Sequence, residues 1–539
     1  MKFYSAVAKA LKDNGVDTMF GLLGDANLFM VDSFVRENGG NFVAAAHEAG
    51  ATLMALGYSA ISGKTGVATV THGPALSNTM TALVEGVKAS LPLVLVCGDT
   101  AAGDLDHPQK IDQREFVITT GAGFEPLRTP KTLAEDLATA FRRAAVERRP
   151  IALNVSVDLQ WLDVEYRPAP HQVPERSGFM LSGPDLDDAA GIVAAAQRPI
   201  ILAGRGAIAP AARLALLRLA DRTDALVATS LKGKDLFRGL PYDLGIFGTL
   251  SGPQTLDAIR ESDCLIAFGA SLNRFTTDQG SLLRGKRVVS VNAEAGDISK
   301  FARPDACVVG DPALVAEAIL QLLDEAEIPS SGYREEWLAN TGGIKPTELP
   351  AKPHRQGTVD FPRALRRLDE MVPDDRVVVT DAGRFVYETW KTVKTPDPRD
   401  YVLTMNSGSI GLGLPYAIGA SLAARDRPVF LITGDGGFMH GGLAEFNTAV
   451  RSRCDLIIVV FNDGSYGSEH AQFRDRDMDP GLSKMEWPEL APVAQALGGT
   501  GVTVRSMAEL EAAALAIQRR KGPILIDVKI DPDGMPPKS

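Results

Sequence analysis

The chain has 539 residues and a formal net charge of −11, with 45% hydrophobic and 23% charged residues. These proportions are ordinary for a globular protein, and the length allows about three domains of roughly 150 residues each. Because the sequence has no dense cluster of Lys and Arg, a nucleic-acid partner is disfavoured. The longest apolar runs, such as residues 456–461, are too short to span a membrane.

Cysteine usage and the first residues both bear on location. The four cysteines (Cys97, Cys264, Cys307 and Cys454) are scattered and form no CxxC pair. This favours a reducing compartment over a disulfide framework, and it also disfavours a zinc site. Residues 1–17 have the charge spacing of an amphipathic helix rather than the apolar core of a signal peptide. We therefore expect a cytoplasmic protein with no membrane contact.

Short β-branched runs alternate with longer helical patterns along almost the whole chain. Most of these runs end in Gly, Asp, Ser or Asn before a helix begins, as is typical of parallel strands with crossover helices. The runs predicted to be buried strands are 66–71, 91–99, 198–204, 224–230, 264–271, 287–292, 376–383, 427–436, 455–463 and 523–531.

Two Pro-rich polar stretches, 165–178 and 328–358, mark predicted domain boundaries. The sequence therefore predicts an α/β protein of three doubly wound parallel-sheet domains, at residues 1–170, 180–328 and 358–539.

Two polar residues follow neighbouring predicted strands. Asp435 comes just after one strand and Asn462 just after the next, 27 residues further on (462 − 435). Since adjacent parallel strands end at the same edge of a sheet, both side chains should meet there. With a carbonyl from Gly464, they would make an all-oxygen site suited to Mg²⁺ or Ca²⁺.

The glycines around Asp435 suggest an anion beside the metal. Gly434, Gly436 and Gly437 would leave backbone N–H groups open to a phosphate. A "GDG" turn alone is a common loop, but Asn462 at the neighbouring strand end favours the functional interpretation. A nucleotide dehydrogenase or NTPase is disfavoured, because no Walker A sequence occurs and no Gly-rich turn completes the dinucleotide fingerprint.

This combination resembles the thiamine diphosphate motif. Over essentially all 539 residues the chain is similar to the 2-oxo acid decarboxylase and acetolactate synthase family. The resemblance implies a pyrimidine-binding domain, a central domain and a diphosphate-binding domain at the three positions given above, with thiamine diphosphate and Mg²⁺ (or Ca²⁺) as cofactors.

Glu48 lies in the apolar stretch 44–60, where an unpartnered carboxylate is unexpected. The segment "HEAGA" resembles the family segment that carries the cofactor-activating glutamate. The resemblance implies that Glu48 hydrogen-bonds the pyrimidine ring and promotes the tautomer that accepts the C2 proton. An apolar helix around it would disfavour its charged form and so suit this role.

Other segments resemble the family's cofactor contacts. "NSGSIGLGLPYAIGA" implies that Ile410 supports the thiazolium and that the Gly408 carbonyl accepts from the pyrimidine amine. "TDAGRFVYE" resembles the second diphosphate loop. The remaining residues implied as cofactor contacts are Asn78, Ala382, Gly383, Arg384, Phe385, Ser465, Tyr466 and Gly467. The resemblance also implies that Glu48 and Asp435 meet across a subunit interface, with a homodimer as the minimum and a homotetramer common.

The substrate pocket combines features of several subfamilies. Asp25 matches a catalytic Asp of pyruvate decarboxylases. His72 is added to a pattern typical of acetolactate synthases, and His107 lies where pyruvate decarboxylases carry two histidines. Ser468 and Glu469 follow the metal motif where benzoylformate decarboxylases are apolar. We expect Asp25, His72, His107 and Glu469 to move protons beside Glu48.

These features predict an enzyme that decarboxylates a 2-oxo acid and then releases an aldehyde or joins the remaining fragment to a second carbonyl. Two alternatives stay open: a non-decarboxylating C–C lyase and a catalytically silent binding or regulatory homologue. A flavin, which acetolactate synthases bind, is disfavoured in the central domain because the pocket departs from the synthase pattern.

Overall fold

The computed structural model describes residues 1–171, 178–180, 182–345 and 354–535. The described residues fall into two compact units. One contains residues 1–171, 354–386 and 402–535, and the other contains 178–180, 182–345 and 387–401. No helix in these ranges is long and apolar enough to cross a membrane.

The elements around the first sheet are as follows. The helices are α1 (Phe3–Asp13), α2 (Leu28–Arg36), α3 (Glu48–Ser62), α4 (Pro74–Ser77), α5 (Met80–Ala89), α6 (Gln113–Thr119) and α7 (Leu133–Glu147). The strands are β1 (Thr18–Gly21), β2 (Asn41–Ala44), β3 (Gly66–Val70), β4 (Leu93–Asp99), β5 (Gly123–Pro126) and β6 (Pro150–Ser156).

The second sheet has its own helices on both faces. They are α8 (Pro184–Ala195), α9 (Pro210–Thr223), α10 (Pro253–Glu261), α11 (Pro312–Glu325) and α12 (Tyr333–Thr341). The strands are β7 (Pro199–Ala203), β8 (Leu226–Thr229), β9 (Asp243–Ile246), β10 (Cys264–Phe268), β11 (Arg287–Asn292) and β12 (Ala306–Val309). A separate apolar cluster covers each face of this sheet.

The remaining elements include the third sheet. The helices are α13 (Phe361–Met371), α14 (Val386–Thr392), α15 (Gly413–Ala423), α16 (Asp435–Gly437), α17 (Leu443–Arg451), α18 (Gly467–Arg474), α19 (Leu490–Ala496) and α20 (Met507–Arg519), with a π-helical turn at Phe438–Gly442. The strands are β13 (Val377–Thr380), β14 (Tyr401–Leu403), β15 (Val429–Gly434), β16 (Leu456–Asn462), β17 (Thr500–Val504) and β18 (Ile524–Lys529). Among these elements, α14 lies in the second unit from residue 387 onward.

The three parallel sheets confirm the predicted fold class. The first sheet has the order β2-β1-β3-β4-β6-β5, and the third has the same order, β14-β13-β15-β16-β18-β17. The second has the order β12-β11-β10-β7-β8-β9, which is the doubly wound arrangement of dinucleotide-binding folds. Each of the ten predicted strands is present, and α1 confirms the amphipathic helix expected near residue 1.

The first and third sheets share one apolar core, in which α3 packs against α15. The two helices approach so closely that a Cβ on Gly57 would lie 2.1 Å from the Tyr416 carbonyl oxygen. On the other helix, a Cβ on Gly419 would lie 1.8 Å from the Met54 carbonyl oxygen. Glycine is therefore required at both positions, and this contact fixes the segments that precede the two helices.

Candidate active site

Glu48 is the first residue of α3 and is half-buried. Residues 41–44 form β2 and residues 45–47 connect it to the helix, so the expectation of a glutamate in the middle of an apolar helix was wrong. Its Oε2 atom accepts a hydrogen bond of 3.0 Å from Asn78 Nδ2. The structure therefore pairs the predicted glutamate with the predicted Asn78, at the N-terminus of a helix, where a carboxylate is favoured.

Asp25, His72 and His107 lie together beside the ends of β1, β3 and β4. Thr71 Oγ1 donates to Asp25 Oδ1 over 2.9 Å and lies 3.0 Å from His72 Nδ1. The rings of His72 and His107 have centroids 5.1 Å apart. His72 is buried, and burial lowers its pKa below the ordinary value, although the nearby Asp25 carboxylate opposes this effect. A neutral imidazole next to a carboxylate can accept and return a proton near neutral pH.

Glu469 lies apart from this cluster within the described chain. It is exposed on α18, and no hydrogen bond connects it to Asp25, His72 or His107 in the part of the chain that the structure describes. His470, the next residue, is buried, and its Nε2 lies 3.0 Å from an Asp533 carboxylate oxygen. His47 caps α3 by accepting from the Ala49 N–H, which is a structural role.

Asp435 and Asn462 meet at the carboxyl edge of the third sheet, as predicted from the sequence. Asp435 begins α16 directly after β15, and Asn462 ends the neighbouring strand β16. The Gly464 N–H donates to Asp435 Oδ2 over 3.0 Å and to Asn462 Oδ1 over 3.2 Å. The Gly464 carbonyl accepts from the Met485 N–H and keeps a second lone pair. One carboxylate, one amide oxygen and this turn therefore converge.

The donor chemistry of this group fits a small divalent cation. Asp435 is only 3% exposed, and burial together with the neighbouring Asp463 carboxylate raises its pKa. A cation would offset the cost of a charged carboxylate at this depth. In the described ranges no three His, Cys, Asp or Glu residues cluster as metal ligands. The site therefore depends on amide and main-chain oxygens, which suit Mg²⁺ or Ca²⁺.

Asp527 orients Asn462, and sequence reasoning missed it. The fully buried Asp527 accepts from Asn462 Nδ2 over 2.9 Å, so the Asn462 oxygen points toward the Gly464 turn. Asp527 also accepts from Lys529 Nζ (2.8 Å) and from the Leu490 N–H (3.2 Å). The signal available in the sequence was a single Asp inside the apolar strand "ILIDVK".

We expect Asp527→Asn to weaken Mg²⁺ binding by about 10- to 100-fold, because one of the two oxygens that accept from Asn462, Leu490 and Lys529 becomes an NH₂ donor and the three partners can no longer all be satisfied. Titration calorimetry with Mg²⁺ and thiamine diphosphate measures this change. Asp136→Asn, which changes another fully buried carboxylate far from this edge, is the control and should leave Mg²⁺ affinity unchanged. Equal affinities in wild type and Asp527→Asn would contradict the orienting role.

Asp381 connects the loops around the predicted cofactor contacts. It is buried, and its carboxylate accepts from the Ala382 and Gly411 N–H groups and from Thr433 Oγ1. Ile410 lies between Gly408 (φ +84°) and Gly411 (φ +81°) and remains half-buried, which suits a support for a bound ring. Asp381 lies in the segment "TDAGRFVYE", but the resemblance did not single it out as a site residue.

The remaining predicted contacts border the Asp435 group. Gly383 and Gly434 leave room for the buried ring of Phe385, and the Phe385 side chain therefore packs in the core. Gly436 and Gly437 give room to Tyr466 and Asp381, so packing is a second reason for two glycines that the sequence predicts to bind an anion. Arg384 donates to the Pro532 carbonyl oxygen, Ser465 Oγ donates to Asp463, and Gly467 begins α18.

The strand-end glycines of the second sheet pack on one another. A Cβ on Gly204 would lie 2.3 Å from the Gly269 carbonyl oxygen, and one on Gly206 would lie 2.8 Å from the Gly269 Cα. Loop packing therefore explains these glycines without a nucleotide. The prediction against a flavin stays a prediction, and a flavin absorbance spectrum from the purified protein would contradict it.

Two groups of polar residues thus lie in one compact unit. The first contains Asp25, Glu48, Thr71, His72, Asn78 and His107, and the second contains Asp435, Asn462, Asp463, Gly464 and Asp527. Among the described residues, no hydrogen bond or ion pair connects a member of the first group to a member of the second.

Three protein-family models match this chain and show which family it belongs to. Residues 1–116 match the N-terminal TPP binding domain of thiamine pyrophosphate enzymes, residues 186–319 match the central domain, and residues 381–528 match the C-terminal TPP binding domain. The chain belongs to the thiamine pyrophosphate enzyme family. The group around Glu48 lies in the part matched by the N-terminal model, and the group around Asp435 lies in the part matched by the C-terminal model.

Relatives in this family extend over nearly the whole chain. A probable acetolactate synthase large subunit of Methanocaldococcus jannaschii is 28% identical, covering 99% of this chain and 92% of that protein. The acetolactate synthase isozyme 2 large subunit of Escherichia coli is 26% identical, covering 97% and 95%. A sulfoacetaldehyde acetyltransferase of Castellaniella defragrans is 28% identical, covering 93% and 87%.

Proposed function

We propose that this thiamine pyrophosphate enzyme requires Mg²⁺ and decarboxylates a 2-oxo acid, then releases an aldehyde or joins the remaining fragment to a second carbonyl compound. The observation that carries the proposal is that both polar groups are complete. Glu48 is paired with Asn78, and Asp435 and Asn462 converge at Gly464. A silent binding homologue would have no need for both.

The residues divide the chemistry between them. When bound, thiamine diphosphate supplies the nucleophilic carbon that adds to a carbonyl and takes up the electrons left when CO₂ departs. Asp435, Asn462 and the Gly464 carbonyl would hold the Mg²⁺ that carries the diphosphate. Glu48 would hold a proton at the pyrimidine ring, and Ile410 would support the bound cofactor.

His72, His107 and Asp25 are suited to proton transfer at the substrate. His72 stays neutral near pH 7 because burial lowers its pKa, so it can accept a proton from a second reactant or return one to a product. Asp25, which shares the Thr71 hydroxyl with His72, would stabilise the imidazolium that forms. Because these groups are polar, we infer a hydrophilic 2-oxo acid or acceptor, and similarity to a sulfoacetaldehyde acetyltransferase supports this inference.

Product analysis separates the two outcomes. The protein, loaded with thiamine diphosphate and Mg²⁺, is given its best 2-oxo acid with and without an excess of pyruvate or aldehyde acceptor. A new hydroxyketone product would support ligation, and aldehyde alone under both conditions would contradict it. Turnover of a carbonyl substrate without CO₂ would instead favour the non-decarboxylating C–C lyase.

We propose that a homodimer is the smallest active unit and that the chain assembles as a homotetramer. Each site would combine Glu48 of one subunit with Asp435 of another. Two exposed apolar side chains near the two groups support a subunit interface there. Leu105, close to His107, is 75% exposed, and Leu482, which follows α18, is 87% exposed.

Mixing two inactive variants tests the shared site. Glu48→Gln and Asp435→Asn, unfolded and refolded together, are expected to recover about a quarter of the wild-type activity, since about half of the dimers are mixed and each has one intact site of two. Mixing Glu48→Gln with the double variant should recover none. Absence of recovery in the first mixture, with mixed dimers demonstrated by tagged subunits, would contradict a shared site.

A further inference from the structure

Helix α3, which begins with the proposed cofactor-activating Glu48, has an incomplete N-terminal cap of its own. In a capping box, the N-cap side chain accepts a backbone N–H of the first turn, and a Glu or Gln three residues later accepts the N-cap N–H. His47 supplies the first half, since its Nδ1 accepts from the Ala49 N–H over 3.1 Å. The position that should supply the second half is Gly50, which has no side chain.

Glu445 of α17 supplies the missing carboxylate. Its Oε1 atom accepts the His47 N–H over 3.1 Å, and its two oxygens accept the Ala46 N–H over 3.2 and 3.1 Å. A Cβ on Gly50 would lie 2.0 Å from Glu445 Oε1. The carboxylate therefore occupies the space that a side chain at position 50 would fill, and it makes the hydrogen bond that such a side chain would make.

The same helix holds this segment at a second point. An Arg451 side-chain nitrogen donates to the Ala44 carbonyl oxygen over 2.9 Å, at the end of β2. Glu445 is 2% exposed, so little water can replace its hydrogen bonds to the Ala46 and His47 N–H groups. Since α17 follows the metal-binding turn at Asp435 with only the π-helical turn between them, the segment before Glu48 is fixed by the diphosphate domain.

A second buried glutamate makes the reciprocal contact. Glu85 on α5 is fully buried and accepts from the backbone N–H groups of Asn406 and Ser407 over 3.2 and 2.7 Å. It also accepts from the Asn406 amide and the Ser407 hydroxyl, each over 2.7 Å. Residues 406–407 precede Gly408 and Ile410. Each domain therefore positions the proposed cofactor-facing segment of the other with one buried carboxylate.

We propose that Glu445 and Glu85 are reciprocal positioning residues: Glu445 completes the cap of α3 from the diphosphate domain and so places Glu48, and Glu85 places the Ile410 loop from the pyrimidine domain. The consequence for catalysis rests on the proposed function, but the positioning does not. Neither residue is expected to touch substrate or cofactor.

Backbone hydrogen exchange of the full-length protein, without cofactor or substrate, tests the positioning itself. In Glu445→Gln, the amides of Ala46 and His47 should exchange about tenfold faster or more, because one acceptor becomes an NH₂ donor, while residues 406–407 stay unchanged. In Glu85→Gln, the amides of Asn406 and Ser407 should exchange faster, while those of Ala46 and His47 stay unchanged. Asp136→Asn, a buried carboxylate that accepts the Arg128 N–H, is the matched control and should alter neither segment. Equal changes in both segments for either glutamate variant would overturn the proposal.

A glutamate placed at position 50 should replace the cap that Glu445 provides, and this double variant is the rescue experiment for slow exchange. Glu445→Ala should open the segment, and Gly50→Glu added to it should restore slow exchange at His47, because the carboxylate then reaches the N-cap N–H from within α3. Gly50→Ala alone should reproduce Glu445→Gln, since the added Cβ displaces the carboxylate. Failure of the double variant to restore protection, while it melts as a single folded species, would overturn the proposal.

The turnover rate of the protein with thiamine diphosphate and Mg²⁺ bound then tests whether the position of Glu48 matters for catalysis. Glu445→Gln should lower kcat by about tenfold with a smaller change in KM, and the rescue variant, Gly50→Glu added to Glu445→Ala, should recover most of it. Should the wild type turn over no substrate, the proposed function fails while the exchange and rescue experiments still decide the positioning. If the wild type is active and Glu445→Gln has the same kcat, the claim that Glu445 affects catalysis through Glu48 would be contradicted.

Discussion

Asp435→Asn should weaken the binding of thiamine diphosphate in the presence of Mg²⁺ by about a hundredfold or more, because the cation loses the charged ligand that is buried beside Asn462. The fold should survive the change. Asparagine has the same volume, and its side-chain oxygen can still accept the Gly464 N–H that Asp435 accepts over 3.0 Å. Titration calorimetry at fixed Mg²⁺ gives the affinity, and removal of the cation with EDTA from the wild type should produce the same loss.

The matched control is Asp360→Asn in the same domain. Asp360 is a buried carboxylate that caps α13 by accepting the Arg363 N–H, and asparagine can make the same cap, so this replacement should leave cofactor affinity unchanged. Two results would exclude a metal site at Asp435: tight cofactor binding by Asp435→Asn, or cofactor binding by the wild type that does not respond to EDTA.

Unlike Asp435→Asn, the variant Glu48→Gln should bind the cofactor nearly normally but have very low turnover. A glutamine can keep the contact to Asn78 but cannot hold and release a proton, so kcat is expected to fall by about 10²- to 10⁴-fold. Because the diphosphate end is unchanged, the Kd for thiamine diphosphate should rise by less than about tenfold.

Glu125→Gln serves as the comparison for this variant. Glu125 lies in the same domain and pairs with Arg143 over 3.1 Å, away from the two polar groups. It should keep the wild-type kcat. If Glu48→Gln also kept the wild-type kcat on the best substrate, a different residue would have to activate the cofactor.

The strands that the sequence revealed are those with the strongest physical signal. All ten predicted strands lie in the interior of a sheet, where both faces are buried and the run is continuously apolar. All six edge strands were missed. They are short, and residues such as those in Gly123–Pro126 and Asp243–Ile246 include Gly, Pro or charged side chains. Two interior strands, β1 and β6, were also missed.

Some residues of the candidate site could likewise be predicted from the sequence, and others could not. Asp435 and Asn462 could be predicted to meet because each lies at the end of a predicted strand, and strand order brings such residues to one edge. Asp25 was implied only by the family resemblance of its loop. Glu445, Glu85, Asp381 and Asp527 could not be predicted. Apart from the neighbouring Ala382 N–H and Lys529 side chain, their partners lie 30 to 399 positions away in the sequence, so only the packing of α3 against α15 and of the strands reveals them.

Glu48 lies at a different place in its helix from the one that the sequence pattern suggested. The apolar letters on both sides of it suggested one helix, but those before it belong to β2 and the connection that follows. What holds Glu48 in place is Asn78 on one side and the cap completed by Glu445 on the other. Composition alone could not distinguish a helix start from a helix interior.

The most direct measurement is CO₂ release from a panel of 2-oxo acids, from pyruvate through branched, aromatic and polar acids. We expect release from at least one acid, dependent on both thiamine diphosphate and Mg²⁺ and nearly lost in Glu48→Gln. If no acid released CO₂ from protein that demonstrably binds the cofactor, a decarboxylating enzyme would be contradicted.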